Sequence, residues 1–507
     1  MRYEAVESPN LQQNSLPAPP RKFLHSIDAR LNALEPRLSW FYVCLLLLTG
    51  VSWAIQAAEL VLLVFTRVLV ANDIGMSTQV LGVFAASIFM GLMVGGPIFG
   101  HVADRFGRRI SIMIAMMFSF GGLAVSARAN AEYMLLIGRV LTGIGYGGQL
   151  GSTVVLVQEL APRSMSGRVV SLLDAFTGIG GLLGVTLAFA VVPRLEWRTT
   201  YLATCGLVLH AIVLRFTVPE SPRWLASVGR TEEAYAVVEK IEHLHDIQSP
   251  GDDTQQLELE FTSALESPPS IAAKPSLLMR LSPTLVLWIL WISMTLSSYT
   301  LGIYVPTLIS LSGYNVFANW STIGVLHVAQ TVGSIAAATG LDTYGFHRCF
   351  AVFATLATIF SVVLSYVTWS RAEVIAVTFV VTALLSACWG CVLAYTSRHY
   401  TTTHRGRGMG YAVGVSRLAA VGGSYLYPRM FNVWVLSVPV LCWIFGGVLT
   451  IIAVGVVPRF GYRPLGQEDD TDSCAWTSVA ELENGMSSEE RSEGAKTAEG
   501  ESVTSRQ

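Results

Sequence analysis

The sequence predicts an all-α membrane protein with twelve transmembrane helices, arranged as two six-helix pseudo-repeats. Only 13% of the 507 residues are charged, whereas a soluble protein carries about 25% charged residues. The mean hydropathy is +0.52. Because charge is this scarce, most of the chain must have lipid as its solvent. Two further observations support this prediction: the chain contains twelve apolar runs, and one motif recurs about 238 residues along the chain.

The spans can be located because about 20 apolar residues in a helix cross a bilayer. Arginines concentrate in the loops on the N-terminal side of these spans, as basic residues do in cytoplasmic loops. An even number of spans puts both termini on one side, so we expect cytoplasmic termini and location in the plasma membrane. The twelve runs lie at roughly 40–66, 79–100, 109–128, 132–158, 168–192, 199–217, 283–308, 320–340, 348–369, 373–396, 408–432 and 435–457.

Charge and proline divide the chain into five regions. The polar N-terminal tail contains Phe23, Ile27, Leu31 and Leu34 at helical spacing, which predicts a short helix lying on the membrane surface. Residues 231–245 predict a cytosolic helix in the central linker. The regions are a cytoplasmic tail at 1–39, a six-helix bundle at 40–217, a cytoplasmic linker at 218–280, a second bundle at 281–457 and a disordered acidic tail at 458–507.

Composition also excludes several classes of function. The net charge of −2, with no basic tract among interleaved aromatics, argues against a nucleic-acid partner. Cys388 and Cys391 have redox-motif spacing but lie within an apolar span, so we interpret them as core residues. The pattern contains no metal-ligand cluster and no catalytic triad. The sequence therefore predicts no enzyme, no catalytic residue, no metal and no cofactor.

The segment from Gly100 to Arg109 is a dense charge cluster between two long apolar runs. It must form a tight turn at the membrane surface, where glycine permits the turn and a close helix approach. Asp104 ends a helix there and can pair with an arginine or with the positive end of a neighbouring helix. For any single arginine, a membrane anchor is the alternative interpretation. The motif recurs around Asp342, where the second copy has lost most of its charges.

The spacing G-x-x-x-D-R-x-G-R-R resembles the loop between helices 2 and 3 of the major facilitator superfamily of secondary transporters. Residues 219–225, Pro-Glu-Ser-Pro-Arg-Trp-Leu, resemble the branch of sugar porters, organic ion transporters and metabolite/proton symporters related to synaptic vesicle glycoprotein 2. The run Arg139-x-x-x-Gly143-x-Gly145 is also similar to this superfamily. The resemblance implies a conformational latch on the cytoplasmic side, made of Gly100, Asp104, Arg105, Gly107, Arg108, Arg109, Glu159, Glu220 and Arg223.

Two differences from known branches of the superfamily narrow the choice of the branch that this chain resembles. A sugar porter would show a glutamine-rich helix 7, but this helix reads Ile-Ser-Met-Thr-Leu-Ser-Ser-Tyr at 292–299. Animal organic cation transporters have a large loop between helices 1 and 2, whereas here those spans are separated by about ten residues. The metabolite-symporter group fits best.

In that group, helix 1 commonly carries two acidic residues three apart, and this chain has Gln56 and Glu59. A carboxylate within a membrane helix costs about 3 kcal/mol on insertion scales, so it is rare and usually functional. We interpret Glu59 as the proton-coupling group. The alternative is a structural pair between Glu59 and Arg139 or another polar helix face.

Buried cations and aromatics are the candidate substrate contacts. An arginine facing a cavity suits a carboxylate, which it binds through two parallel hydrogen bonds. A structural role is the alternative for Arg139 and Arg417. Asp174 and His327 are weaker candidates, and Asn319 lies in a glycosylation sequon. The predicted substrate-binding residues are Arg417, Arg139, Gln56, Tyr299 and Trp389.

The predicted function is secondary active transport of a small organic solute, an organic anion or similar metabolite, with coupling to protons by alternating access. A sugar or polyol facilitator is one alternative, and a non-transporting membrane receptor with the same fold is another. The expected partners are the lipid bilayer, the small-molecule substrate and protons, and we expect a monomer.

Overall fold

A computed structural model describes residues 21–34, 38–205, 208–245, 283–311, 320–366, 371–432 and 447–456. The predicted acidic tail, all of the linker after residue 245, most of the run at 435–457 and Asn319 of the sequon lie outside the described residues. So does the side chain of Tyr299.

The first half of the chain contributes helices α1 to α10. Their bounds are α1 Arg21–Ala33, α2 Trp40–Ile74, α3 Thr78–Phe106, α4 Arg108–Ala127, α5 Glu132–Leu160, α6 Ser166–Thr186, α7 Val192–Cys205, α8 Val208–Thr217, α9 Pro222–Ser227 and α10 Thr231–His243. A π-helical turn, Leu187–Val191, joins α6 to α7. The backbone of α7 is kinked at Glu196.

The second half contributes helices α11 to α15 and a helical segment at 447–456. The bounds are α11 Pro283–Leu311, α12 Trp320–Tyr344, α13 Phe346–Tyr366, α14 Arg371–His399 and α15 Arg405–Asn432. Across the described ranges, eight helices are long and apolar enough to cross a membrane by length and composition. The described backbone contains helices and turns and no strand.

Several helices extend beyond their apolar runs, as far as residues that end or cap a helix. The first predicted span ends at 66, but α2 continues to Ile74, where Gly75 adopts φ 77° and donates its N–H to the carbonyl of Ala71. Ser77 then caps α3 by accepting the N–H of Val80. Helix α3 runs on through the charge cluster to Phe106.

The N-terminal helix packs on protein, which corrects the expectation that it lies on the membrane surface. Ile27, Leu31 and Leu34 are completely or almost completely buried. They belong to a core cluster with apolar residues of α9 and α10, such as Trp224 and Val238. The helical spacing was therefore right, but it could not show that α9 and α10 would cover the apolar face.

Helix α3 is one of the elements that connect the two halves. It packs closely against α5 of the first half and α15 of the second half. A Cβ added to Gly100 would lie 2.6 Å from the carbonyl oxygen of Gly406, and one added to Gly96 would lie 2.5 Å from that of Gly410. Backbone therefore lies against backbone at the junction of the halves, a contact that only glycine allows.

Candidate functional site

Asp104 binds the N-terminus of a helix from the other half. Its two carboxylate oxygens accept the N–H groups of Gly406 and Arg407, each at 2.9 Å. These N–H groups open α15 and have no partner within the helix, and the helix dipole places partial positive charge there. The Asp104 carboxylate is 1% exposed, so the contact is shielded from water. Arg108 and Arg407 also lie 3.5 Å from the carboxylate, so Asp104 has both of the partners that the sequence allowed.

Glu159 lies between arginines of both halves. It accepts two hydrogen bonds from Arg108, at 2.9 and 3.1 Å, and one from Arg405 at 2.8 Å. Arg108 is itself fully buried and also donates to the Thr402 carbonyl of the second half at 2.5 Å. A buried carboxylate is stable only when cations and hydrogen bonds compensate its charge, as they do here. Glu159 and Arg108 therefore tie the halves together at this end, which we call the latch end.

Glu220 caps the helix that begins with the arginine pair. Its carboxylate accepts the N–H groups of Arg108 at 3.0 Å and Arg109 at 3.1 Å, the first two residues of α4. Burial raises the pKa of Glu220, against the opposing effect of these donors and of the Arg108 charge. Gly107, at φ 108°, makes the turn, and a Cβ there would clash with the Glu220 carboxylate. Glu220 is thus a structural support of the turn.

Arg223 caps the end of α5. Its Nη1 donates to the carbonyls of Gln158, Glu159 and Ala161 at 3.1 to 3.2 Å. The carbonyls at a helix C-terminus lack a full set of partners within the helix, and the helix dipole also favours a cation there. Its Nε donates to Asp28 of α1 at 2.6 Å. The resemblance found Arg223, but Asp28 carried no signal in the sequence beyond its place on a helix.

One predicted latch residue lies apart from the others. Arg105 is exposed at the end of α3, where its guanidinium lies 5.4 Å from the centre of the neighbouring Phe106 ring. Arg109 is half-buried and donates to the carbonyls of Val218 and Arg215, within the first half. Among the described latch residues, the contacts between halves therefore involve Gly100, Asp104, Arg108 and Glu159.

The second copy of the motif also joins the halves, although it has few charges of its own. Asp342 at the end of α12 lies 3.4 Å from Arg168 of α6 and 3.8 Å from Arg398 of α14. Arg398 also donates to the Ser166 hydroxyl at 2.9 Å and the Arg163 carbonyl at 3.1 Å. The expected weaker second latch therefore takes arginines from elsewhere, which a comparison of the two motif copies could not show.

Inside the first half, Glu59 and Arg139 are both buried, with 1% and 0% exposure. They interact electrostatically, and the Thr204 hydroxyl lies beside Glu59. Within the described chain, no donor meets Glu59 and no acceptor meets Arg139 with the geometry of a hydrogen bond. The neighbouring Thr204 hydroxyl donates instead to the Tyr201 carbonyl at 2.7 Å. The Arg139 guanidinium lies 4.3 Å from the centre of the Tyr201 ring. The buried side chains of Glu59 and Arg139 can therefore form further hydrogen bonds.

The other predicted contacts are spread over both halves. Gln56 is 5% exposed, and its Oε1 meets no donor among the described residues. Trp389 on α14 donates to Ser298 of α11 at 2.8 Å and packs edge-on against Trp291, with ring centres 5.3 Å apart. Arg417 is half-buried on α15. Arg139 and Arg417 therefore offer one cation from each half.

Asp174, a weaker candidate from the sequence, lies where the halves meet. Its Oδ2 accepts a hydrogen bond from Ser334 of α12 at 2.8 Å. Its Oδ1 lies 3.4 Å from the donating hydroxyl of Thr177. His327, also on α12, bonds Gln330 at 2.9 Å. The sequence pointed to both residues but could not show that they share the interface between α6 and α12.

The contacts at the latch end join separate parts of the chain, and the described residues contain no group of three or more metal-binding side chains. Eight membrane-length helices and polar contacts between two halves define a multi-pass helical membrane protein.

The chain belongs to the family described as "Sugar (and other) transporter", which matches residues 42–467. It is a transporter of the major facilitator superfamily, with twelve transmembrane helices in two six-helix pseudo-repeats, and it is not an enzyme. Its surroundings are the lipid bilayer, and its substrate is a small molecule.

Two curated relatives and one solved structure illustrate this membership. The chain is 26% identical to the niacin transporter NiaP of Acinetobacter baylyi over 402 residues, which is 77% of this chain and 87% of the relative. It is 25% identical to a synaptic vesicle 2-related protein of Xenopus laevis over 405 residues, 74% of this chain and 70% of the relative. A double tryptophan mutant of XylE, from E. coli, matches with a TM-score of 0.71 and 21% identity, over 85% of this chain and 98% of XylE.

Proposed function

We propose that the protein is a proton-coupled secondary transporter of a small organic anion, with Glu59 as the proton-coupling group. The observation that carries the proposal is the buried acid–base pair of Glu59 and Arg139, neither of which meets a hydrogen-bond partner among the described residues. Charges in this state are costly in a membrane interior and are retained for function.

Protonation of Glu59 changes the charge beside Arg139. With Glu59 ionised, the two side chains neutralise each other. With Glu59 protonated, Arg139 becomes an uncompensated cation, which favours an anion nearby. Proton binding and anion binding therefore support each other, which is the condition for symport.

The substrate class rests on the cations and on a relative. Arg139 and Arg417 provide planar guanidinium groups, which match a carboxylate. Gln56, Tyr299 and Trp389 add polar and aromatic contacts for the rest of such a solute. Niacin, the compound in the name of the relative from Acinetobacter baylyi, is an aromatic carboxylate. An aromatic or heterocyclic monocarboxylate is the substrate class that these residues suit best.

The remaining expectations belong to the same proposal. The latch end faces the cytoplasm and holds the outward-facing state, and both termini are cytoplasmic. The bundles 40–217 and 281–457 rock about the central site, joined by the linker 218–280 and flanked by the tails 1–39 and 458–507. The protein acts as a monomer in the plasma membrane.

The test is proton movement into liposomes that contain the purified protein and a pH-sensitive dye. We expect acidification inside when an aromatic monocarboxylate is added, and loss of this signal in Glu59→Gln while counterflow exchange of the tracer-labelled anion persists. The exposed Glu233→Gln variant is the matched control and should behave as wild type. Unchanged pH-driven uptake by Glu59→Gln would reject Glu59 as the coupling group.

The same assay separates the alternatives. Tracer uptake of a sugar or polyol without any proton signal would establish a facilitator and leave Glu59 with a structural role. Ligand binding without flux would establish a receptor, although the contacts between halves argue for a protein that changes conformation.

A further inference from the structure

Asp174 is a buried carboxyl group in an unusual position. Asp174 is 7% exposed and lies on α6 in the first half. Its shortest hydrogen bond nevertheless comes from Ser334 in the second half. It forms no ion pair within the described residues, and no charged side chain there interacts with it electrostatically. Glu159 and Asp104, by contrast, both have arginine partners.

The hydroxyl groups around Asp174 form a chain across the interface. Ser386 of α14 lies 3.0 Å from Ser334, which donates to Asp174 at 2.8 Å. On the other side, Trp53 of α2 donates to Thr177 at 2.8 Å, and Thr177 lies 3.4 Å from Asp174. The two shortest oxygen–oxygen distances, 2.8 and 3.0 Å, are those of hydrogen bonds. A carboxyl group among hydroxyl groups is a site that can bind a proton.

The titratable groups of the neighbouring helices do not compensate Asp174. His327 on α12 bonds Gln330, and its imidazole lies against Gly181, two turns of α6 away. Glu59 on α2 interacts with Arg139 of α5. On α14, Cys388 and Cys391 are the nearest titratable residues to Ser386 in sequence, and both are fully buried. Within the described part of the chain, the hydrogen bonds to the Asp174 carboxyl group therefore come from hydroxyl groups.

We propose that Asp174 is a second proton-binding site, which holds its proton while the latch end is closed and releases it to water when that end opens. In the closed arrangement an ionised carboxylate without a cation partner would be costly, so the neutral acid is favoured. Opening separates α6 from α12 and admits water, which stabilises the ionised form. The O–H bond of the acid breaks, and the proton passes to water in the compartment at the latch end.

The position along the helices supports this link to the latch. Arg168 and Asp342, which pair at the latch end, lie six and eight residues from Asp174 and Ser334 along their helices. At 1.5 Å per residue, the carboxyl lies about 10 Å inside the latch end. Opening that separates Arg168 from Asp342 would thus next separate α6 from α12 at Asp174. The inference goes beyond the proposed function because it requires neither Glu59 nor any particular substrate.

The experiment measures opening of the latch end against pH without substrate. Spin labels at Phe106→Cys and Tyr344→Cys, two exposed positions on different halves, report open and closed distances in a cysteine-free background in nanodiscs. Linkage predicts that the logarithm of the open-to-closed ratio rises with pH in wild type. In Asp174→Asn, which imitates the neutral acid, the slope should fall by up to one per pH unit.

Ser334→Ala provides the second variant. It removes the donor that supports the ionised form in the closed state only, so the rise in opening should extend to higher pH and become larger. Asp73→Asn is the matched control, because Asp73 pairs with Arg198 inside the first half and should leave the slope unchanged. Equal slopes in wild type and Asp174→Asn, or a wild-type profile in Ser334→Ala, would overturn the inference. Because no substrate is present, either result is independent of the proposed anion symport.

Discussion

At the scale of single residues, the latch works because each buried charge has several partners. Glu159 is fully buried and accepts three hydrogen bonds from Arg108 and Arg405. Asp104 compensates its charge with helix N–H groups as well as with arginine. Removing one member leaves the others buried and unpaired, which costs more than the net contribution of the pair.

Glu159→Gln should therefore destabilise the protein strongly. We expect a decrease of about 3 kcal/mol in the free energy of unfolding, because Arg108 and Arg405 would stay buried without their anion. Denaturant titration in detergent, followed by tryptophan fluorescence, measures this. The control is Glu233→Gln, which removes an exposed pair with Arg230 and should have no measurable effect. A Glu159→Gln variant as stable as wild type would show that the pair contributes little.

At the scale of elements, α1 is a clamp on α9, α10 and the turn after α5. Arg30 bonds Glu242 of α10 at 2.9 and 2.5 Å, and Asn32 accepts the N–H of Arg163 at 2.9 Å. Asp28 bonds both Arg223 and Arg163. These two arginines also contact the end of α5 and Arg398 of the second half, so α1 supports the latch from outside the membrane.

The attachment of α1 should depend on pH through Asp28. Burial acts to raise the pKa of Asp28, but Arg223 and Arg163 outweigh it and hold the pKa below the ordinary 3.8. The ionised form is thus favoured in the folded state, so its stabilisation is complete above pH 3.8 and is lost as the pH falls further.

Hydrogen exchange across residues 21–34 measures this effect. Asp28→Asn should exchange roughly tenfold faster than wild type at neutral pH, and wild type should approach the variant below pH 3.8. Glu232→Gln, an exposed change on α10, is the control. Equal protection of α1 in Asp28→Asn and wild type at neutral pH would contradict the clamp.

At the scale of the whole molecule, the two halves meet through glycine backbones as well as charges. Gly100 and Gly406, which belong to different halves, touch across the junction in this closed arrangement. A side chain at this junction should therefore change the balance between conformations rather than the fold of either half.

Gly100→Ala should favour the open latch end. The added Cβ would lie 2.6 Å from the Gly406 carbonyl oxygen, too close for the closed arrangement, at a cost of about 1–3 kcal/mol. The spin-label pair described above would show a larger open fraction at constant pH. Gly121→Ala is the matched control, because a Cβ at Gly121 meets nothing within 4 Å. An unchanged open fraction in Gly100→Ala would mean that the backbones can separate without opening.

The sequence by itself determined the class of the molecule and much of one site. Scarce charge and repeated apolar runs allow only a helical membrane protein, because backbone groups in lipid must bond within each helix. The charge spacing at 100–109 marked Asp104 and Arg108, since charges between two spans have to lie at the surface.

Only the tertiary structure decided the partners. Asp104 binds the start of α15, and Asp342 pairs with arginines of α6 and α14. The apolar face of α1 packs against α9 and α10 instead of lipid. Asp174 gained its hydroxyl partner from the other half. The physical reason is that these contacts join residues more than fifty positions apart, and periodicity and local charge describe only neighbours along the chain.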